Sequence, residues 1–150
     1  MEKHFSPVGK AVIQTSVRLA AQFKYRAVVP EHLFLAIIDE SLTNPADAQI
    51  ILNVFKQLNV DLFSLIEDVE YFLDSSNVPF VANRIPLSKV TERILKVSCR
   101  ESIILQSEDI DVKQILLAYL RNGSAFSEDI LKSKYNITCQ NVQDAIERTN

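Results

Sequence analysis

The residues best suited to chemistry are an adjacent acid and base, Glu31 and His32, and two cysteines, Cys99 and Cys139. A glutamate and a histidine could form an acid–base pair, with Cys99 assisting as a nucleophile. Neighbouring residues on a helix, however, project about 100° apart and do not face each other. The spacing therefore argues against a small helical enzyme, and we predict no catalytic residue.

Local motifs for phosphates, metals and nucleophiles are missing from the sequence. The two glycines, Gly9 and Gly123, lie too far apart for a glycine-rich phosphate loop, and no HExxH, CxxC or GxSxG pattern occurs. We therefore expect no metal and no cofactor. His32 is interpreted as a packed, hydrogen-bonded histidine, and the cysteines as reduced thiols that pack as small apolar groups.

Composition and charge narrow the class of protein. The 150 residues include 16 Lys and Arg against 19 Asp and Glu, and the net charge of −3 argues against a nucleic-acid binder. The apolar run from Leu33 to Ile38 is far shorter than the ~20 residues that cross a bilayer. The N-terminus has no apolar leader segment. These features predict a cytoplasmic protein that binds neither nucleic acid nor membranes.

The helices are predicted from caps and apolar spacing. Only two glycines and five prolines occur, which argues against β-sandwiches and barrels and favours long helices. We place the first helix at 7–24 and the second at 30–41. Polar residues that can cap a helix precede the first helix and six later ones: Ser6, Asn44, Asp61, Ser88, Asp111, Ser124 and Thr138. The result is an all-α chain of eight helices.

The order of caps and apolar residues occurs twice. Ser6 matches Ser88 at an offset of 82 residues, and after a loop that is five residues shorter in the second copy the offset becomes 77, which pairs Asn59 with Asn136. Both asparagines follow a helix, where a left-handed residue is needed. We therefore predict one domain, 1–150, with a four-helix repeat at 5–73, a linker at 74–86, and a second repeat at 87–147, related by a pseudo-two-fold axis.

The duplicated pattern resembles the N-terminal domain of Clp ATPases of the ClpA and ClpC type. In that family each repeat opens after Phe-Thr/Ser, continues with a block like Gly-Thr-Glu-His-Leu-Leu-Leu, and later has Leu-Gly-Val. Here the first repeat has Phe5-Ser6, then 29–38 with the sequence VPEHLFLAII, then Leu58-Asn59-Val60. The chain departs from the family pattern at Val29-Pro30 and in the second repeat, where Lys113 stands at the place of Glu31.

The resemblance implies a non-catalytic module that binds protein substrates and adaptor proteins for an AAA+ unfoldase ring, and indirectly for the ClpP protease. In some ClpC-type members an acidic residue of the Glu-His block binds phosphoarginine, and here only Glu31 could do so. An alternative is a free-standing accessory subunit of a Clp protease. A structural bundle that forms oligomers is a third class, and the polar outer stripes of the first and fifth helices argue against it.

The candidate binding residues are Glu31, Pro30, Phe5, Phe80 and Val81. Glu31 either contacts a ligand or acts as a favourable charge in the first turn of its helix. Phe5, Phe80 and Val81 either line a groove between the repeats or fasten the N-terminal tail and the linker to the core. The sequence leaves both alternatives open.

Overall fold

The computed structural model describes residues 4–76, 85–104 and 106–149. The helices are α1 (Pro7–Gln22), α2 (Pro30–Thr43), α3 (Pro45–Gln57), α4 (Leu62–Ser76), α5 (Lys89–Ile104), α6 (Val112–Asn122), α7 and α8 (Cys139–Thr149). Helix α7 consists of a π-helical segment (Ser127–Lys132) and one α-helical turn (Ser133–Tyr135). The described residues contain no strand longer than an isolated bridge. The predicted all-α fold, a double repeat of helical bundles, is confirmed.

Most of the predicted helix starts are confirmed at the atomic level. The Ser6 hydroxyl accepts the Gly9 N–H at 3.0 Å, and the Ser88 hydroxyl accepts the Thr91 N–H at 3.1 Å. Asp61, Ser124 and Thr138 cap their helices in the same way, and Asp111 forms the predicted capping box with Gln114. Asn44 is the exception, because it precedes α3 but its side chain makes no capping hydrogen bond.

The ends of the helices depend on residues with left-handed backbone. Asn59 and Asn136 have φ of 57° and 56°, as predicted. Lys24 and Gln106, which are related by the 82-residue offset, have φ of 64° and 55°. The left-handed Lys24 explains why α1 ends at Gln22, two residues before its predicted end. Helix α2 ends at Thr43, two residues after its predicted end.

Two short backbone contacts join the repeats in a reciprocal manner. Ser6 donates its N–H to the Ile110 carbonyl at 2.9 Å, and Ser88 donates to the Val28 carbonyl at 3.0 Å. Ser6 and Ser88 are related by the 82-residue offset, and so are Val28 and Ile110. In each repeat, the residue before the first helix therefore bonds to the segment before the second helix of the other repeat. Such reciprocal contacts are expected for a pseudo-two-fold arrangement.

Helices α2 and α6 form the centre of the molecule. Both are buried along most of their length and they contact each other across the boundary between the repeats. Phe34 of α2 stacks on Tyr119 of α6 with ring centroids 5.0 Å apart. The start of α2, where the sequence places its candidate site, is consequently packed against the second repeat. Within the described ranges, no helix is long and apolar enough to cross a membrane.

Candidate partner-binding site

Glu31, the principal candidate ligand-binding residue, is buried between the repeats. Its side chain lies in the first turn of α2, and the residue is 5% exposed. The Tyr119 hydroxyl donates a hydrogen bond to Glu31 Oε2 at 2.8 Å, and the same hydroxyl lies 3.3 Å from Ser124 Oγ. Burial and the neighbouring Glu31 raise the pKa of Tyr119 well above its ordinary value, so the phenol remains a donor. The structure thus gives the carboxylate an internal partner.

The other candidate residues are not gathered around Glu31 as a single exposed site. Pro30 is buried at the first position of α2. Phe5 is half-buried, packs against the core, and forms the backbone bridge with Ile110. Phe80 and Val81 lie outside the described residues, as does 77–84 of the predicted linker. The two alternatives for Phe5, Phe80 and Val81, a groove between the repeats or a fastening of the tail and linker to the core, both stay predictions.

His32 is neutral and serves the fold. Its Nδ1 accepts the Val29 N–H at 3.0 Å, so the ring proton lies on Nε2. Nε2 has no hydrogen-bond partner and the ring packs edge-on against Tyr25, with centroids 4.5 Å apart. Desolvation lowers the pKa of His32 to about 4. Gln114, its counterpart 82 residues later, accepts the Asp111 N–H in the same way at 2.8 Å.

The cysteines show no catalytic environment. Cys99 and Cys139 are both free and partly buried, and burial raises the pKa of Cys139, which disfavours the thiolate. Among the described residues no three His, Cys, Asp or Glu side chains come together as a metal site. Glu31 and His32 bond to different groups, so the structure does not join them as an acid–base pair.

A groove on the first repeat was not predicted from the sequence. A cavity of about 180 Å³ opens between α1, α2 and α4. Its lining is apolar at Leu19, Leu35, Ile38, Leu42 and Ile66, and charged or polar at Arg18, Gln22, Asp39 and Glu70. Arg18 and Asp39 form an ion pair at 3.2 Å. The sequence carries no signal for this groove, because it arises only where three helices pack together; Leu42, one of its lining residues, is 50% exposed.

Comparison with solved structures shows the same fold in several N-terminal domains. The N-terminal domain of Hsp104 from Candida albicans is 14% identical, with a TM-score of 0.79 over 98% of this chain and 91% of that chain. The ClpV N-domain in complex with a VipB peptide is 17% identical, with a TM-score of 0.67 over 97% and 88%. The N-terminal domain of ClpD from Arabidopsis thaliana is 14% identical, with a TM-score of 0.61 over 97% and 94%. No curated protein sequence matches the chain.

At sequence level, the Clp repeat (R) N-terminal domain family matches residues 4–134, which is most of the chain. The match covers both reciprocal contacts between the repeats and the whole of α1 to α6. The double helical bundle and the similar solved structures agree with this match. The chain therefore belongs to the Clp repeat N-terminal domain family.

Proposed function

We propose that the chain is a non-catalytic module that binds protein substrates or adaptors for a Clp-type AAA+ unfoldase in the cytoplasm. The observation that carries this proposal is the family match over residues 4–134. The ClpV N-domain, which shares the fold, has a solved structure in complex with a VipB peptide, and this supports a peptide-binding role for the bundle. The type of unfoldase, including the ClpA/ClpC type that acts with ClpP, is part of the proposal.

The internal bonding of the polar residues favours binding over catalysis. The Glu31 carboxylate accepts from Tyr119, and the His32 ring accepts from the Val29 backbone. Both side chains are buried, and their contacts serve the start of α2 and the boundary between the repeats. Side chains used in this way maintain the fold, and neither is placed to act on a substrate.

A phosphoarginine ligand at Glu31 would require a rearrangement. A guanidinium could pair with the carboxylate only by entering a site that is 5% exposed and already receives the Tyr119 hydroxyl. Forked pairing needs both carboxylate oxygens. We therefore propose protein segments, rather than phosphoarginine, as the principal ligands. Binding of free phosphoarginine by the native chain that is lost in Glu31→Gln would overturn this choice.

Direct binding to synthetic protein segments tests the proposal. The purified chain is titrated into fluorescent peptides that tile several unfolded proteins, and anisotropy reports binding at equilibrium. We expect a subset of the peptides to bind with micromolar to millimolar dissociation constants, as is common for transient recognition. If no peptide binds to the folded chain, the proposal fails.

The reading frame beyond Asn150 separates two forms of this function. An ATPase module encoded in the same chain identifies an N-terminal domain of the unfoldase, whereas a stop codon identifies a free-standing accessory subunit. Adding the chain in trans to an unfoldase ring that lacks its own N-domain then measures the accessory role. Stimulation of client unfolding supports the accessory subunit, and the absence of stimulation contradicts it.

A further inference from the structure

The groove between α1, α2 and α4 differs between the two repeats in a way that folding does not require. Its floor in the first repeat includes Leu19 from α1 and Ile66 from α4. The corresponding residues of the second repeat are Glu101 and Gln143, at offsets of 82 and 77. Arg121 of α6 forms an ion pair with Glu101 and also reaches Gln143 Oε1 at 3.5 Å. A polar network thus stands at two positions that are apolar in the groove of the first repeat.

The outer face of α4 continues from this groove. Successive residues of a helix are about 100° apart around its axis, so one arc of roughly 140° on α4 contains five side chains. In order around the axis, they are Ile66, Glu70, Phe63, Glu67 and Tyr71. Phe63 is 81% exposed and Tyr71 is 75% exposed. Large aromatic rings at such exposure are costly in water and are frequent at protein interfaces.

The equivalent helix of the second repeat has polar residues on this face. With the offset of 77, Gln140 and Arg148 of α8 stand where α4 has Phe63 and Tyr71. Because α8 keeps the same solvent-facing positions polar, the aromatic face of α4 is not a requirement of the fold.

The charge of this surface indicates what would bind to it. Helix α4 contains Glu67, Asp68, Glu70 and Asp74 and no basic residue. Asp68 is bonded to Lys134 and Tyr135, and among the described residues the other three acids have no ion pair. An excess of carboxylates beside exposed rings attracts lysine and arginine, both by charge and through cation–π contacts. The same charge repels phosphate backbones and anionic lipids.

We propose that the groove and the outer face of α4 form a docking surface for a basic amphipathic segment of a protein partner. An apolar side chain of the partner enters the 180 Å³ cavity beside Leu42. Its basic side chains face Glu67 and Glu70 and cover the ring of Phe63. This inference rests on the proposed partner-binding function and names the surface and the chemistry of the partner.

The test uses a fluorescent amphipathic helical peptide of leucine, lysine and alanine, and a version in which glutamate replaces every lysine. We expect the basic peptide to bind and the acidic one to bind at least tenfold more weakly. The variant Glu67→Lys with Glu70→Lys should lose about tenfold in affinity for the basic peptide. Leu42→Ser with Phe63→Gln, of which the second change introduces the residue of the second repeat, should lose a similar factor without a change of charge.

The chain supplies a matched control on α8. The variant Asp144→Lys with Glu147→Lys alters the equivalent positions and changes the net charge by the same amount. It should leave the affinity within about twofold, and circular dichroism should show all three variants folded. Equal losses in the α4 and α8 variants would mean that only net charge matters, and would overturn the inference.

Two further outcomes separate this inference from the proposed function. If unfolded-protein peptides bind the chain but none of the α4 variants alters their affinity, the docking surface is wrong and the proposed function stands.

Helix α5 has its own exposed basic stripe of Lys89, Arg93, Lys96 and Arg100. If sedimentation shows a salt-sensitive dimer that Lys96→Glu with Arg100→Glu abolishes, the occupant is a second copy and the partner assignment is overturned.

Discussion

Removing the Tyr119 hydroxyl tests whether Glu31 is held in the interior by an internal donor. The two residues are 0% and 5% exposed, and the hydroxyl lies 2.8 Å from the carboxylate oxygen. A hydrogen bond to a charged group contributes about 1.5–3 kcal/mol, and a buried carboxylate that loses its donor has little access to water. We therefore expect Tyr119→Phe to lower the free energy of unfolding by about 2 kcal/mol. For a chain of this length, that corresponds to a fall in Tm of roughly 4–8 °C.

Urea denaturation at pH 7, followed by far-ultraviolet circular dichroism, measures this loss. A double-mutant cycle with Glu31→Met isolates the coupling between the two side chains, which we expect to be at least about 1 kcal/mol. Tyr135→Phe is the matched control, because Tyr135 also donates to a carboxylate, that of Asp68, but in a half-buried position. Its cost should stay below about 1 kcal/mol. If Tyr119→Phe costs no more than Tyr135→Phe and the coupling is zero, the assigned role of Glu31 is wrong.

Three further substitutions probe the start of α1, the histidine and the end of α1. Gly9→Ala would place a Cβ 2.8 Å from the Ile110 carbonyl, so we expect a loss of about 1–3 kcal/mol in urea unfolding instead of the usual gain for glycine to alanine in a helix. The pKa of His32 falls from 6.5 to about 4 on folding, so the unfolded chain binds the extra proton between these values and stability falls as the pH drops from 6.5 to 4. The loss amounts to at most about 3 kcal/mol, and His32→Gln, which copies Gln114, should remove it from the pH dependence of unfolding. Lys24→Gly should raise the free energy of unfolding by up to about 1 kcal/mol, because φ of 64° strains a residue with a Cβ. An unchanged or lower Tm would contradict this.

Local chemistry explains why most of the fold could be predicted from the sequence. A serine before a proline, or an asparagine after an apolar run, has few alternative conformations of low energy, so Ser6 and Asn59 mark the ends of helices directly. Asn44 shows the limit of this reasoning. Its φ of −135° and ψ of 58° leave its side chain without a capping bond, although the residue stands at the start of α3. A cap residue predicts a boundary more securely than it predicts its own hydrogen bond.

Tertiary context explains what could not be predicted. The π-helical segment Ser127–Lys132 lies in a stretch whose spacing is also compatible with an ordinary α-helix. Glu31 could be placed in a first turn, but its burial depends on Tyr119, which is 88 residues away in the sequence. The groove beside Leu42 depends on three helices together, and a single amphipathic pattern cannot show where their packing leaves a cavity.

The differences between the two repeats are the best guide to function, because both repeats meet the same demands of folding. Where folding sets the residue, the repeats agree: Ser6 and Ser88 cap the first helices, and Asn59 and Asn136 provide the left-handed turns. Where the repeats differ, the bundle tolerates either choice, as with Phe63 and Gln140 on exposed faces. Phe63 and Tyr71 lie together on one helix at positions where the fold also accepts polar residues, which is why we assign them to the proposed docking surface.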